Sequence, residues 1–370
     1  MAAMLSTTAA IAQGASVVHG RHGQAYIPGM TTILHDEDAD LDVLTGSTVA
    51  VVGYGNQGRS WALNLRDGGL DVRVCVRADA SREQAVADGF SAHELEAASD
   101  AEVVCVLVPD DIIPGLPFTR PDDGLTIVAS GYTLAFGRFD PPGDVGMVAP
   151  RMLGPEVRRC FEEGVGFITA VGVHHDVTGN ARARVLAVAK AIGGLRQGAV
   201  ELTPQQEALL DLAVEQALSP AMTLVNSTFV KTMLDHGIPM EAIVAELTLS
   251  GEMERTMRLV RTGGYAAQFG FHSPTSQYGQ LTRRHAYDEV DIATIMNGLV
   301  EDIASGTFAD EWDRERPRRS QRGAGPPPPH LRPVWQGARR DHRRHRRPGF
   351  GTGAPGLHRP RRRGALPRGV

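Results

Sequence analysis

A glycine-rich segment, Gly53-Tyr-Gly55-Asn-Gln-Gly58, lies between an apolar run at 48–53 and an amphipathic stretch at 58–67. Glycines at these spacings permit a tight turn, and they let a pyrophosphate approach the N-terminus of the following helix, where free backbone N–H groups bind anions. The alternative is a Gly-rich turn with a purely structural role. Because a strand pattern precedes the loop and a helix pattern follows it, the segment predicts a dinucleotide-binding site.

The residues after the next predicted strand, 71–76, indicate which dinucleotide binds. NAD-binding proteins usually carry Asp or Glu there to bind the ribose hydroxyls, whereas this chain has Arg77, Ser81 and Arg82. Guanidinium and hydroxyl groups suit a 2′-phosphate, so the sequence predicts NADPH rather than NADH. The alternative is a solvated arginine in an arginine-rich chain.

Carboxylates recur in the second half of the chain. Asp211 and Glu215 lie four residues apart, which places both on one face of a helix, and Glu246 and Glu252 follow. Clustered carboxylates with bound water are the hard oxygen ligands that suit Mg²⁺. On spacing alone, solvated acidic helix faces are the more ordinary interpretation.

A polar cluster, His272-Ser-Pro-Thr-Ser-Gln-Tyr-Gly279, contains the hydroxyls of Ser273 and Ser276. It predicts either the wall of a pocket for a polar acid substrate or the cap of the next helix, and spacing does not separate the two. The adjacent His174 and His175 show no metal-ligand spacing and are interpreted as surface or loop residues.

The elements that must position these groups divide the chain in two. Apolar runs at 48–53, 71–76, 103–108, 125–129, 145–149 and 167–171 alternate with helix-like or loop segments, the pattern of a parallel sheet covered by helices. From Thr203 the pattern changes to long helical periodicity. The predicted fold class is an α/β Rossmann-type domain over residues 31–202, followed by an all-α domain over residues 203–313.

The two ends of the chain lack such patterns. Residues 1–30 are small and polar and predict a disordered or non-native extension, with Met30 as an alternative start. Residues 314–370 are rich in Arg and Pro and predict a disordered tail, either frameshifted or truncated sequence or a genuine basic tail. An ordered extension is the remaining alternative.

Charge and composition exclude several function classes. The 370-residue chain has a net charge of −5, and residues 316–370 hold 16 Arg and one acid, so the first 315 residues carry about −20 and should repel nucleic acid. Three widely spaced cysteines argue against a disulfide framework or a structural zinc site, and they fit a reducing cytoplasm. No apolar run reaches the roughly 18 residues of a membrane span. We expect a cytoplasmic protein without a membrane or nucleic-acid partner.

Several motifs, taken in order along the chain, together resemble the ketol-acid reductoisomerases. They follow the glycine loop and are Leu107-Val-Pro-Asp110, Val148-Ala-Pro-Arg151, Val157-Arg-Arg159, Thr178-Gly-Asn-Ala181, Asp211-x-x-x-Glu215-Gln216 and Ser273-x-Thr-x-x-Tyr-Gly279. The resemblance covers roughly residues 33–313, and motifs in this order are far more specific than the glycine loop alone.

The resemblance implies conversion of 2-acetolactate or 2-aceto-2-hydroxybutyrate to 2,3-dihydroxy acids in branched-chain amino-acid synthesis, with NADPH and two Mg²⁺ ions. An alkyl group migrates, and hydride then reduces the new ketone. The resemblance also implies a knotted helical domain and at least a homodimer, because the partner subunit supplies the second carboxylate pair. The residues assigned on this basis are Gly53, Tyr54, Gly55, Gln57, Gly58, Arg77, Ser81 and Asp110 for the cofactor, Asp211, Glu215, Glu246 and Glu252 for metal, and Ser273 and Ser276 for substrate.

The chain departs from the family's pattern where the chemistry is expected. Ser130 stands where the family has a histidine at the edge of the nicotinamide site, and Arg151 stands where it has an active-site lysine. An arginine does not readily give up a proton and presents a planar fork, so this exchange is not conservative. Glu246 and Glu252 are six residues apart instead of four, as a two-residue insertion would produce. Arg151, Glu215 and Ser130 are the predicted catalytic residues.

These departures leave three functional hypotheses. The first is a reductoisomerase with variant residues. The second is a divergent relative that only reduces a 2-keto-3-hydroxy acid, in secondary metabolism, without alkyl migration. The third is a non-catalytic nucleotide-binding protein whose basic tail contacts nucleic acid or a partner.

Overall fold

The computed structural model describes residues 33–119 and 121–322, so the predictions for residues 1–30 and for the tail beyond residue 322 lie outside it. The described residues form a nine-stranded sheet. Its strands are β1 (Ile33–Leu34), β2 (Thr48–Val52), β3 (Asp71–Cys75), β4 (Ala92–His93), β5 (Val103–Val106), β6 (Leu125–Val128), β7 (Asp144–Pro150), β8 (Thr169–His175) and β9 (Ala199–Glu201).

The order of the strands is β1-β9-β8-β7-β6-β5-β2-β3-β4. The six strands from β7 to β4 in this order all pair in parallel, which is the arrangement of a dinucleotide-binding sheet. Beyond them β8 runs antiparallel to β7, and β9 runs parallel to β8. Strands β5 and β6 are buried along their whole length, as expected where helices cover both faces. The α/β prediction is confirmed.

Twelve α-helices accompany or follow the sheet within the described residues. They are α1 (Asn56–Asp67), α2 (Ala80–Ala87), α3 (Tyr132–Ala135), α4 (Gly154–Glu162), α5 (Ala181–Ala191), α6 (Pro204–Ala213), α7 (Ser219–Asp235), α8 (Met240–Val244), α9 (Glu252–Phe269), α10 (Pro274–Arg283), α11 (Ile292–Ala304) and α12 (Thr307–Arg322). Wide π turns, Val214–Leu218 and Ala245–Leu249, follow α6 and α8.

The helical part begins as the sequence predicts. Thr203 caps α6, because its hydroxyl accepts the backbone N–H of Gln206 and the Gln206 side chain accepts that of Thr203. At the other end, α12 continues to Arg322 and so passes the predicted boundary at residue 313. Arg138, which follows α3, pairs with Asp310 at 2.6 Å and with Asp313 at 2.9 Å, which fixes α12 against the α/β part.

The helical part leaves much apolar surface uncovered. Six large apolar side chains are exposed between residues 33 and 202, against twenty-three between residues 203 and 315. The continuous helical stretch Pro204–Asp235 is long and apolar enough to cross a membrane, with 11% of its most apolar window buried. Polar residues are scattered through this stretch, so it contains no uninterrupted apolar run of about 18 residues, although its mean hydropathy is as high as that of a membrane span.

Candidate functional site

The glycine loop after β2 has the geometry of an anion site. Gly53 has φ +96°, and a Cβ there would lie 2.7 Å from the Leu107 carbonyl oxygen, while a Cβ on Gly58 would collide with the Gly53 carbonyl. At Gly55 a Cβ would meet no described atom within 4 Å. Helix α1 starts at the next residue, and no described side chain caps its N-terminus. The open space at Gly55, in front of these N–H groups, fits a pyrophosphate.

Two adjoining cavities extend from this loop along the carboxyl ends of the parallel strands. One, of about 420 Å³, is lined by Gly53, Tyr54, Gly55, Arg77 and Ser81, and by Asp79, which the sequence did not single out. The other, of about 340 Å³, is lined by Gly55, Gln57, Asp110 and Ser130. Both share Gly55 and the segment after β5. Together they form a trough that fits an extended dinucleotide across the sheet edge.

Three polar side chains near the trough form hydrogen bonds or ion pairs with other residues of the protein. Arg82 pairs with Glu94 at 2.7 Å and donates to the Val76 carbonyl, so it does not line the cavity as Arg77 does. The Tyr54 hydroxyl donates to Asp88, and burial raises the pKa of that hydroxyl. The Gln57 amide donates to the Met152 carbonyl at 3.2 Å. Arg77 is largely exposed, with Asp79 at 3.6 Å, which leaves its guanidinium accessible to a ligand.

Arg151, at the end of β7, joins two carboxylates of α6. It pairs with Asp211 at 2.9 Å and with the fully buried Glu207. Glu207 also accepts the backbone N–H of Gly131 at 2.6 Å. A Cβ on Gly131 would overlap the Pro204 carbonyl, so a glycine is what allows this approach. The end of β6 is thereby clamped to the first helix of the helical part.

Glu207 is a site residue that the sequence reading missed. The signal was present: Glu207, Asp211 and Glu215 recur every four residues and share one face of the helix. A lone glutamate in the first turn of a helix is ordinarily explained by the helix dipole, and only its complete burial distinguishes it.

Negative charge accumulates where the trough meets α6. Burial, together with the charges of Glu207, Asp111, Asp211 and Glu215, raises the pKa of Asp110 to about 6. Burial raises the pKa of Glu215 as well, and Asp211 adds to this shift. Burial raises the pKa of Glu207, against the opposing effect of Arg151. These carboxylates repel one another, and their hard oxygens fit a divalent cation such as Mg²⁺.

The remaining predicted ligands lie elsewhere in the single chain. Glu246 lies in the π turn after α8, and Glu252 begins α9 after Gly251, whose φ of +69° breaks the helix. The six-residue spacing is therefore a break between two helices, and both glutamates are exposed. Ser273 caps α10 by accepting the Ser276 N–H at 3.2 Å. In the described part of the chain, none of these four lines the cavities around Asp110.

A further cavity of about 330 Å³ connects the two parts of the molecule. Asp110, Asp111 and Tyr132 line it from the sheet side, and Leu212, Phe308 and Trp312 line it from the helices. It shares Asp110 with the 340 Å³ cavity beside Ser130, so a small substrate there would lie next to the end of the trough. A larger cavity, of about 580 Å³, is lined by residues such as Ser47, Glu102 and Arg184 and contains none of the predicted site residues.

The chain matches two family models in succession. Residues 43–198 match "Acetohydroxy acid isomeroreductase, NADPH-binding domain". Residues 205–327 match "Ketol-acid reductoisomerase, C-terminal domain".

Relatives and solved structures are similar over most of their length. The chain is 37% identical over 294 residues to "Ketol-acid reductoisomerase (NADP(+))" of Haloarcula marismortui, covering 77% of this chain and 84% of that protein. It is 37% identical over 301 residues to "Ketol-acid reductoisomerase (NAD(P)(+))" of Metallosphaera sedula, covering 78% and 88%. The structure of an NADH-preferring ketol-acid reductoisomerase from an uncultured archean aligns with TM-score 0.72 and 30% identity, covering 78% of this chain and 91% of that one.

Proposed function

The chain belongs to the ketol-acid reductoisomerase family, and on that basis we propose that it converts 2-acetolactate to 2,3-dihydroxy-3-methylbutanoate with NADPH and Mg²⁺, in branched-chain amino-acid synthesis. As a member of this family it is an oxidoreductase with a small-molecule substrate. The observation that carries the proposal is the meeting of the dinucleotide trough with the Asp110, Glu207 and Asp211 carboxylates at one sheet edge. Membership of this family of oxidoreductases argues against the hypothesis of a non-catalytic nucleotide-binding protein. The basic tail on which that hypothesis depends lies outside the described residues.

NADPH would lie along the trough with its pyrophosphate at Gly55 and supply the hydride. Arg77 and Ser81 would bind the 2′-phosphate, because both line the cavity at that end and the guanidinium is accessible. Ser130 lines the cavity at the other end, where it would present a hydroxyl beside the nicotinamide and the substrate.

Asp211 and Glu215 would hold Mg²⁺ through their carboxylate oxygens. When bound, the metal would polarise the substrate oxygens as a Lewis acid. Arg151 orients Asp211 and Glu207 from the α/β side, and the N–H of Gly131 holds Glu207 in place. Tyr132, Phe308 and Trp312 line the adjoining cavity, where their aromatic side chains would contact the apolar part of the substrate.

A second copy of the chain would complete the site. Apolar side chains on the stretch Pro204–Asp235 recur at helical spacing and are all exposed. They are Leu210, Val214, Leu218, Met222, Val225 and Phe229. An exposed apolar stripe of this kind marks an interaction surface, and in a homodimer the second copy would bury it. The second copy would also bring its own Glu246, Glu252, Ser273 and Ser276 towards Asp211. Burial in such a dimer would also explain why the stretch Pro204–Asp235 is as apolar as a membrane span in the cytoplasmic enzyme that we propose. The knot in the helical domain stays a prediction.

A second candidate is the plain reductase, which a specific observation favours. Arg151 already pairs with Asp211, one of the two proposed metal ligands, at 2.9 Å. A guanidinium there competes with a cation for the same oxygen, and it cannot act as a proton donor the way a lysine can. Alkyl migration depends on the metal more than hydride transfer does, so this pairing would impair migration first.

The test is NADPH oxidation with Mg²⁺, comparing 2-acetolactate with its migrated isomer, 3-hydroxy-3-methyl-2-oxobutanoate, each with and without EDTA. Turnover of both substrates, abolished by EDTA, is the expected result. Turnover of the migrated isomer alone would establish the plain reductase. Turnover of neither would contradict both candidates.

A further inference from the structure

Two adjacent histidines lie side by side at the end of β8. His174 and His175 were interpreted from the sequence as surface or loop residues without metal-ligand spacing, but they belong to a strand. Consecutive strand residues normally point to opposite faces of a sheet. Here Val145 pairs with His175 and Gly146 with Val173, so the register shifts and His174 is the extra residue of a β-bulge. The bulge brings the two rings to 4.3 Å between centroids.

A carboxylate completes the group. The Asp140 carboxylate lies 2.8 Å from His175 Nε2, and the ligand atoms of Asp140, His174 and His175 all lie within 4.8 Å of one another. Zn²⁺ with bonds of about 2.1 Å holds neighbouring donor atoms about 3.4 Å apart, a separation that small side-chain rotations reach. Within the residues that the structure describes, no other cluster of three such side chains is this tight.

The chain positions these donors firmly. Asp140 follows Arg138, which is paired with two aspartates of α12, and Phe139, which packs on the core. The neutral imidazole is the form of histidine that binds metals.

We propose that Asp140, His174 and His175 form a second metal site, distinct from the carboxylates at α6, that binds Zn²⁺. Two imidazoles and one carboxylate select a first-row transition ion over Mg²⁺. The site lies at the amino edge of the sheet, because β7 begins beside it at Asp144, which pairs with the first residue of β6. The dinucleotide trough lies at the carboxyl edge, so the ion ties the loop after α3 to the sheet and takes no part in hydride transfer.

The test uses the full chain without an affinity tag, saturated with NADPH and Mg²⁺ to occupy the other site. We expect the wild type to bind one more Zn²⁺ per chain than His174→Gln/His175→Gln. Zn²⁺ should raise the Tm of the wild type by about 2–5 °C and leave the Tm of this double variant unchanged. Asp140→Asn should weaken Zn²⁺ binding at least tenfold. Cu²⁺ in place of Zn²⁺ should give an EPR spectrum with two coupled nitrogens.

Histidines of the tail provide the matched control. His342→Gln/His345→Gln removes another closely spaced pair and should leave the Zn²⁺-dependent Tm shift unchanged. The proposal is overturned if the His174→Gln/His175→Gln chain, with an unchanged metal-free Tm, binds as much Zn²⁺ as the wild type. It is equally overturned if the tail variant abolishes the shift.

Discussion

The α/β part and the helical part differ in how much of their surface and chemistry they complete alone. Strands β5 and β6 are buried throughout, and the dinucleotide trough is lined by residues of the α/β part of one chain. Helix α7, by contrast, contains no buried residue within the described chain. Glu246 and Glu252 lie exposed, outside the cavities around Asp110. From this difference we infer that one chain suffices to bind the cofactor, and we propose that catalysis needs two.

The largest effect should come from placing charges on the exposed stripe. Leu218→Glu/Met222→Glu puts two carboxylates where the second copy would bury them without partners, so dimerisation should be lost and turnover should fall at least 100-fold. NADPH affinity should stay within twofold. Analytical ultracentrifugation measures dimerisation, and a fluorescence titration measures NADPH affinity. Val86→Glu, at an exposed position of α2, is the control and should leave the dimer intact. A dimeric double variant would contradict the comparison.

The reciprocal change removes cofactor binding and keeps the rest. Gly55→Ala places a methyl group in space that is open in the free protein, so folding and dimerisation should be unaffected. The pyrophosphate needs that space, and NADPH affinity should fall about 30-fold or more in an equilibrium titration. Gly115→Ala, where a Cβ also meets no described atom within 4 Å, should leave affinity unchanged. Equal affinity in Gly55→Ala would place the pyrophosphate elsewhere.

Arg77 tests the preference between the two cofactors. Arg77→Ala removes a charge-assisted contact of about 1.5–3 kcal/mol, so the Kd for NADPH should rise at least tenfold while that for NADH stays the same. Arg82→Ala is the matched control. Because Arg82 bonds to Glu94 and the Val76 carbonyl, its loss should lower Tm and leave the NADPH to NADH ratio unchanged. A ratio that follows Arg82 instead would show that the sequence reading of that residue was right.

The smallest effect concerns a carboxylate that stabilises the α/β part alone. Asp88 accepts from Arg59 at 2.6 Å and from the Tyr54 hydroxyl, and these bonds lower its pKa to about 2. Because the pKa of Asp88 is lower in the folded protein than in the unfolded chain, its carboxylate stabilises the fold at pH values above the ordinary pKa of about 4. This stabilisation is lost as the pH falls through the folded-state pKa of about 2. Asp88→Asn should therefore cost about 1 kcal/mol of unfolding free energy at pH 7 and little at pH 2.5. Asp235→Asn, at an exposed pair, should cost less at either pH.

The sequence was sufficient wherever local pattern decides the structure. The parallel strands and the glycine loop were found because buried strands appear as continuous apolar runs and the loop needs its glycines within six residues. Strands β1 and β4 escaped because two residues cannot display a period. The contacts of Arg82 with Glu94 and the Val76 carbonyl could not be predicted, because these partners become its neighbours only when β3 and β4 pair.

The candidate site was harder to predict because its partners are distant in sequence. Arg151 and Glu207 are 56 residues apart in sequence, and the residues next to each of them give no indication that the two side chains pair. The break at Gly251 shows the same limit: the spacing of Glu246 and Glu252 is what a two-residue insertion would produce, but the left-handed Gly251 that separates the two helices appears only in the structure. Residues that a second copy would bring to the site cannot be placed from one chain at all.

The most direct test of a site shared between two copies is complementation between two inactive chains. One chain carries Asp211→Asn, the other carries Glu246→Gln/Glu252→Gln, and the two are co-expressed so that mixed dimers form during folding. If the second copy supplies the glutamates, each mixed dimer contains one intact site, and the mixture should recover about a quarter of wild-type turnover. If all four carboxylates act within one chain, every site keeps a defect. The mixture would then remain as inactive as either variant alone, which would contradict the account.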